Sequence, residues 1–137
     1  MRYWLLLLPC LLMGTTIEIT NAGKTLYMQH CMSCHGVDGR GDGPAAVRLS
    51  TTPADLTQIA ARRDGVWPAL EVMEILSGYS RNTQTRDDMP VIVDILDHEM
   101  SEFDPGNGKP FLMPTKLIEI ADYLESLQDP APKSKLP

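Results

Sequence analysis

The sequence predicts an all-α fold of short helices, and three features predict it. From Asn21 to Cys31, the residues Gly23, Leu26, Tyr27, His30 and Cys31 fall at i, i+3, i+4, i+7 and i+8, the spacing of one helical face. Toward the other end, Leu117, Ile120, Ala121, Leu124 and Leu127 share one face, with Lys116, Glu119, Asp122 and Glu125 opposite. Between these, two brief segments carry helix start and stop signals. A chain of 137 residues suffices for one domain and is short for two cores.

The first helix delivers its last turn into Cys31-Met32-Ser33-Cys34-His35. Two thiols three residues apart, with histidine directly after the second, are the signature of covalent c-type haem attachment. Each thiol adds across one vinyl group of the porphyrin, so both sulfurs must sit on one turn of chain. His35 then supplies an imidazole to the iron from the proximal side. A zinc site would need further ligands, and Cys10, His30 and His98 are the only other cysteine and histidines. A thiol-redox motif of the thioredoxin kind expects a βαβ setting, which is absent. His30 adjoins Cys31 and cannot reach the opposite haem face. The motif occurs once, so one haem is expected.

Charge and composition agree. Two Trp, four Tyr and two Phe are few for a core of this size, and a buried haem adds apolar area. The 12 Lys+Arg against 18 Asp+Glu give a net charge of −6, which haem propionates make more negative. Nucleic acid is therefore not an expected partner. Redox donor and acceptor proteins with basic docking surfaces are, with an attraction that salt weakens.

Arg2 precedes an apolar run from Tyr3 to Met13. That length suits the h-region of a signal peptide, about 7–15 residues, and falls short of the roughly 20 that span a bilayer. Residues 1–20 are read as a leader removed on export, taking Cys10 with them. Cleavage near Gly14, Thr15 and Thr16 or after Ala22 lacks a clean A-x-A. Haem of the c type is attached in an oxidising compartment, so the periplasm is the expected location. Membrane contact is expected only through an uncleaved leader or a membrane-bound complex.

The monohaem domain is expected over residues 21–129. After Gly36 comes a glycine-rich run, Val37-Asp38-Gly39-Arg40-Gly41-Asp42-Gly43-Pro44, read as a turn that lets backbone approach the flat cofactor. It lacks the terminal glutamate of a calcium loop and the Lys-Ser/Thr of a phosphate loop. Thr52-Pro53-Ala54-Asp55 looks like a capping box opening a helix that buries Leu56, Ile59 and Ala60 and stops at Gly65. Pro68 starts the next helix, which buries Ala69, Val72, Met73 and Leu76 and ends with Gly78 at C′. Met73 sits at packing spacing. Ser80 to Asp88 form a polar loop that delivers Met89-Pro90.

A thioether is a soft, neutral iron ligand. Met89, Met113 and Met100 are the candidates, in that order. Met89 has free loop before it and a stiffening proline after it. Met113 is tied to the helix that Pro114 opens, and Met100 lies between acidic residues. Val91 to Leu96 reads as helix or strand, and Asp104-Pro105-Gly106-Asn107-Gly108 as a loop. Asp129-Pro130 closes the last helix, and residues 130–137 are expected to be a disordered tail. Trp67 and Tyr79 suit either haem-pocket contacts or ordinary burial.

Together these residues resemble class I c-type cytochromes, the small monohaem family, from about Gly23 to Gln128. The resemblance implies a cytochrome c-like fold, short helices around one covalent haem c with crossed N- and C-terminal helices. Gly23 and Tyr27 match the first of these helices, and Tyr123 and Leu124 lie where it meets the last. Cys31, Cys34 and His35 match the haem motif, and Met89-Pro90 the distal ligand pair. Pro44 looks like the proline whose carbonyl accepts the proximal histidine's N–H. Many bacterial relatives place an aromatic soon after the Met-Pro pair, whereas here Val91-Ile92-Val93-Asp94 follows.

The implied activity is electron transfer with His35 and Met89 as axial ligands and no catalytic residues. Rival readings are a haem subunit held in a larger dehydrogenase or respiratory complex, and a peroxidase-like haem enzyme should no methionine bind. A third is a thiol oxidoreductase that cycles Cys31 and Cys34.

Overall fold

The computed structural model describes residues 16–78, 89–96 and 98–135. Tyr79, the Ser80–Asp88 loop, Cys10 and most of the expected leader lie outside the described residues. Helix α1 spans Thr16–His30 and starts earlier than the periodicity suggests. No glycine or proline interrupts the chain between Gly14 and Gly23, so Asn21 lies inside the helix, and its carbonyl accepts the Thr25 hydroxyl at 3.0 Å. A single turn, α2, covers Met32–His35.

The segment after Thr52 forms tight 3-10 turns at Leu56–Gln58 and Ala61–Arg63 in place of one α-helix. The capping residue is Asp55, whose side chain accepts from Thr57 N–H, and not Thr52. Asp64 adopts a left-handed conformation at φ 56° and ends the second turn. Helix α3, Ala69–Ser77, matches expectation closely. Its buried residues are Ala69, Val72, Met73 and Leu76, and Gly78 closes it with φ 82°.

Two short strands depart from a purely helical chain. β1 (Met100–Phe103) and β2 (Phe111–Pro114) pair antiparallel, with Met100 opposite Pro114 and Phe103 opposite Phe111. The loop between them is the predicted one: Asp104 Oδ1 accepts backbone N–H from Gly106, Asn107 and Gly108, and Phe103 and Phe111 meet edge to face at 6.0 Å. The stretch from Val91 to Leu96 is neither helix nor strand throughout, with a 3-10 turn at Val93–Ile95 that buries Ile95.

Helix α4, Thr115–Ser126, buries Leu117, Ile120, Ala121, Tyr123 and Leu124. It crosses α1 at Gly23, where a Cβ would collide with the Glu119 carbonyl and lie 2.8 Å from Tyr123 Cβ. Only glycine permits that approach. Tyr27 and Tyr123 pack beside the crossing with ring centroids 5.3 Å apart. These contacts set the core, since each fully buried aliphatic or aromatic side chain contributes about 1.5–3 kcal/mol.

The expected disordered tail is ordered through Lys135. Ser134 bridges to Val66, Trp67 N–H donates to the Ser134 carbonyl at 2.8 Å, and Lys133 N–H donates to Gly65 at 2.8 Å. Lys135 reaches Glu125 at 2.9 Å. The backbone of residues 65–67 offers unpaired groups, and the polar tail satisfies them.

Candidate cofactor site

The turn of α2 is closed by Cys31 O, which accepts from Cys34 N–H at 3.1 Å and from His35 N–H at 2.9 Å. Both thiols and the imidazole thereby emerge from one turn. The glycine run folds back over it: Gly41 N–H donates to His35 O at 2.8 Å and Gly43 N–H to Cys34 O at 3.1 Å. Gly41, at φ 82°, is also pressed so close to the Pro53 carbonyl that a Cβ has no room. These glycines therefore serve close backbone-to-backbone approach, and the cavity wall is made by other residues.

That cavity holds about 410 Å³ and is lined by Cys31, Cys34 and His35, by Leu49, Ile59, Val72, Ile75, Leu76 and Leu124, and by Met89. Cofactor sites are commonly of roughly 300–1,000 Å³ with apolar walls and a few polar groups. Thr51, Thr52, Arg62 and Arg63 supply the polar part of this wall. Arg63 is held by Glu71 through Nε to Oε2 at 2.8 Å and a second contact from Nη2 to Oε1.

The imidazole is oriented by the chain. Its Nδ1 lies 2.9 Å from the carbonyl oxygen of Ala54. A carbonyl only accepts, so Nδ1 carries the proton and Nε2 is left with a lone pair for a metal. Burial lowers the His35 pKa, against the opposing effect of the Ala54 bond, which favours the neutral ring that coordination requires. The Cys31 thiol is pushed up to about 12, chiefly by burial.

This corrects the role given to Pro44. Pro44 is exposed and is not part of the cavity wall, and the acceptor is Ala54, beside Pro53, which does line it. The glycine run spends its length reaching residues 53–54, which carries the later proline segment to the ring. Met73 is core, as its spacing predicts. Met113 is half-buried on β2 and Met100 is exposed on β1, and neither lines the cavity. Trp67 is buried in the core away from the cavity wall, and His98 is exposed.

Leu49, Thr51, Thr52, Arg62 and Arg63 were not evident as site residues from sequence. The Ala54 carbonyl leaves no side-chain signal at all. Only the proline before it and the Asp55 cap after it mark a rigid bend there.

The residues present fit a haem: paired thiols and a metal-ready imidazole on one part of an apolar wall, with a thioether on another. Fold and cavity define the class, a small helical protein whose apolar cavity brings together two thiols, an imidazole and a thioether. The cytochrome c family model matches residues 20–128, most of the chain, and the chain belongs to that family. It is a haem-binding electron-transfer protein with a cytochrome c-like fold, to which the β1–β2 hairpin is added. No curated protein matches the chain. Among the described residues, no helix is long and apolar enough to cross a membrane.

Proposed function

We propose that this chain is a periplasmic carrier of single electrons, with one haem c joined through Cys31 and Cys34 and bound axially by His35 and Met89. One observation carries the reading: a single apolar cavity is lined by Cys31, Cys34, His35 and Met89 together. When bound, the haem supplies a one-electron Fe(III)/Fe(II) couple. The chain's own residues do the rest. Cys31 and Cys34 hold the group, and the Ala54 carbonyl fixes the His35 tautomer. Ile59, Val72, Leu76 and Leu124 give the cavity an apolar wall. Met89 in place of a second nitrogen ligand would raise the reduction potential.

Burial pushes the Cys31 thiol up, so Cys31 is not the ready thiolate that a dithiol carrier would use. Redox donor and acceptor proteins would be the partners, approaching the chain near Cys31 and Cys34.

Optical spectra of the exported protein test the ligand set. The weak long-wavelength band of ferric iron bound by methionine sulfur should vanish in Met89→Ala and persist in Met113→Ala. The reverse result would reassign the ligand to Met113, and persistence in both would remove methionine ligation by either residue.

A further inference from the structure

The acceptor for His35 is a backbone carbonyl on an exposed residue with no side chain to lock it. Ala54 has only a methyl group, yet its carbonyl must stay aimed at Nδ1. What immobilises it is on the next residue. Asp55 Oδ1 accepts from Thr57 N–H at 2.9 Å and from the Thr57 hydroxyl at 2.6 Å, and the Asp55 carbonyl accepts from Arg62 Nη2 at 3.0 Å. Leu56 N–H donates to Gly39 O at 2.6 Å, and Thr57 O accepts from Asp129 N–H at 3.0 Å. Ala54 is therefore followed by a run of backbone that is pinned at every residue.

We propose that Asp55 is a positioning residue for the iron ligand: by gripping Thr57 it aims the Ala54 carbonyl at His35 Nδ1 and so tunes the basicity of Nε2. This rests on the haem reading above. A carbonyl that accepts the outer ring N–H makes imidazole a stronger donor, and a stronger donor favours the ferric state. If the Asp55 grip is released, the carbonyl drifts, the Nδ1–H bond lengthens, and the ferric state loses support. The potential must then rise. The Thr57 hydroxyl in turn holds the Asp55 carboxyl below its usual range, in keeping with an oxygen that accepts in the fold.

The experiment compares the exported holoprotein with Asp55→Ala, Asp55→Asn and Thr57→Val. The readouts are the midpoint potential and the NMR exchange rate of the His35 Nδ1 proton in the reduced state. Asp55→Ala should raise the potential and speed exchange by roughly five- to tenfold, the scale of a lost cap. Asp55→Asn retains an acceptor oxygen and should restore both toward wild type. Thr57→Val removes the hydroxyl bond and should move both by less in the same direction, which decides the matter if Asp55→Ala fails to fold. Haem-loaded variants that melt earlier while potential and exchange stay at wild-type values would overturn this inference alone. A wild-type protein that carries no haem would overturn the proposed function as well.

Discussion

The Tyr27 hydroxyl donates to the Gly36 carbonyl over 2.6 Å, tying the last turn of α1 to the residue that follows the His35 turn. Tyr27 is fully buried, so water does not replace the bond when it is lost. In Tyr27→Phe the Gly36 carbonyl keeps only the longer 3.3 Å bond from Gly39 N–H. The expected cost is roughly 1–2 kcal/mol, seen as a lower melting temperature with the Tyr123 ring contact retained.

The same residue gives a pH dependence. Burial raises the Tyr27 phenol above its ordinary value of 10.0. In the unfolded chain it ionises near that value, while in the fold it stays protonated to higher pH. Its contribution is therefore whole below about pH 10 and is lost as the pH climbs toward the folded value. Urea unfolding should show the wild type and Tyr27→Phe converging above about pH 10. Parallel curves through that range would contradict the assignment.

Gly23→Ala tests the crossing of α1 and α4. The added methyl would press on the Glu119 backbone and on Tyr123 Cβ, and both lie on a helix with little freedom to yield. Separation of the helices should cost about 1–3 kcal/mol. The loss should appear in thermal unfolding, and the visible spectrum should change less than the melting temperature.

Gln128 is a buried polar residue that ties α4 to the turns after Ala54. Its Oε1 accepts from Ala60 N–H at 2.9 Å, and its Nε2 donates to Leu56 O at 2.8 Å and to Leu124 O at 2.7 Å. Gln128→Ala leaves the Ala60 N–H buried without that partner. A cost of about 1–3 kcal/mol is expected in chemical denaturation, and a neutral result would show that water reaches the gap.

Much of this was legible in the sequence because it is carried by side-chain spacing. The α3 face of Ala69, Val72, Met73 and Leu76 and the α4 stripe follow from a period of 3.6 residues, and the structure keeps them with the Gly78 stop, except that Leu127 caps α4 and is half-buried. Tyr123 lies off that five-residue stripe yet is buried, because the tight crossing at Gly23 draws it against Tyr27. What stayed hidden belongs to backbone atoms and long-range return. The Ala54 carbonyl, the strand pairing of Phe103 with Phe111, and the tail bonded to residues 65–67 have no periodic signature. Four-residue strands are too short for alternation to decide, although the Asp-Pro-Gly-Asn-Gly loop between them marked a reversal. At the cavity, Cys31, Cys34 and His35 were plain from their spacing, whereas the choice of Ala54 over Pro44 depends on how the glycine run folds back.

The most direct measurement is the mass of the exported protein's Cys31–Cys34 peptide, taken before and after treatment with an alkylating reagent. Covalent attachment predicts a peptide heavier by one haem, with neither Cys31 nor Cys34 open to the reagent. A peptide of bare polypeptide mass that gains two alkyl groups would contradict it.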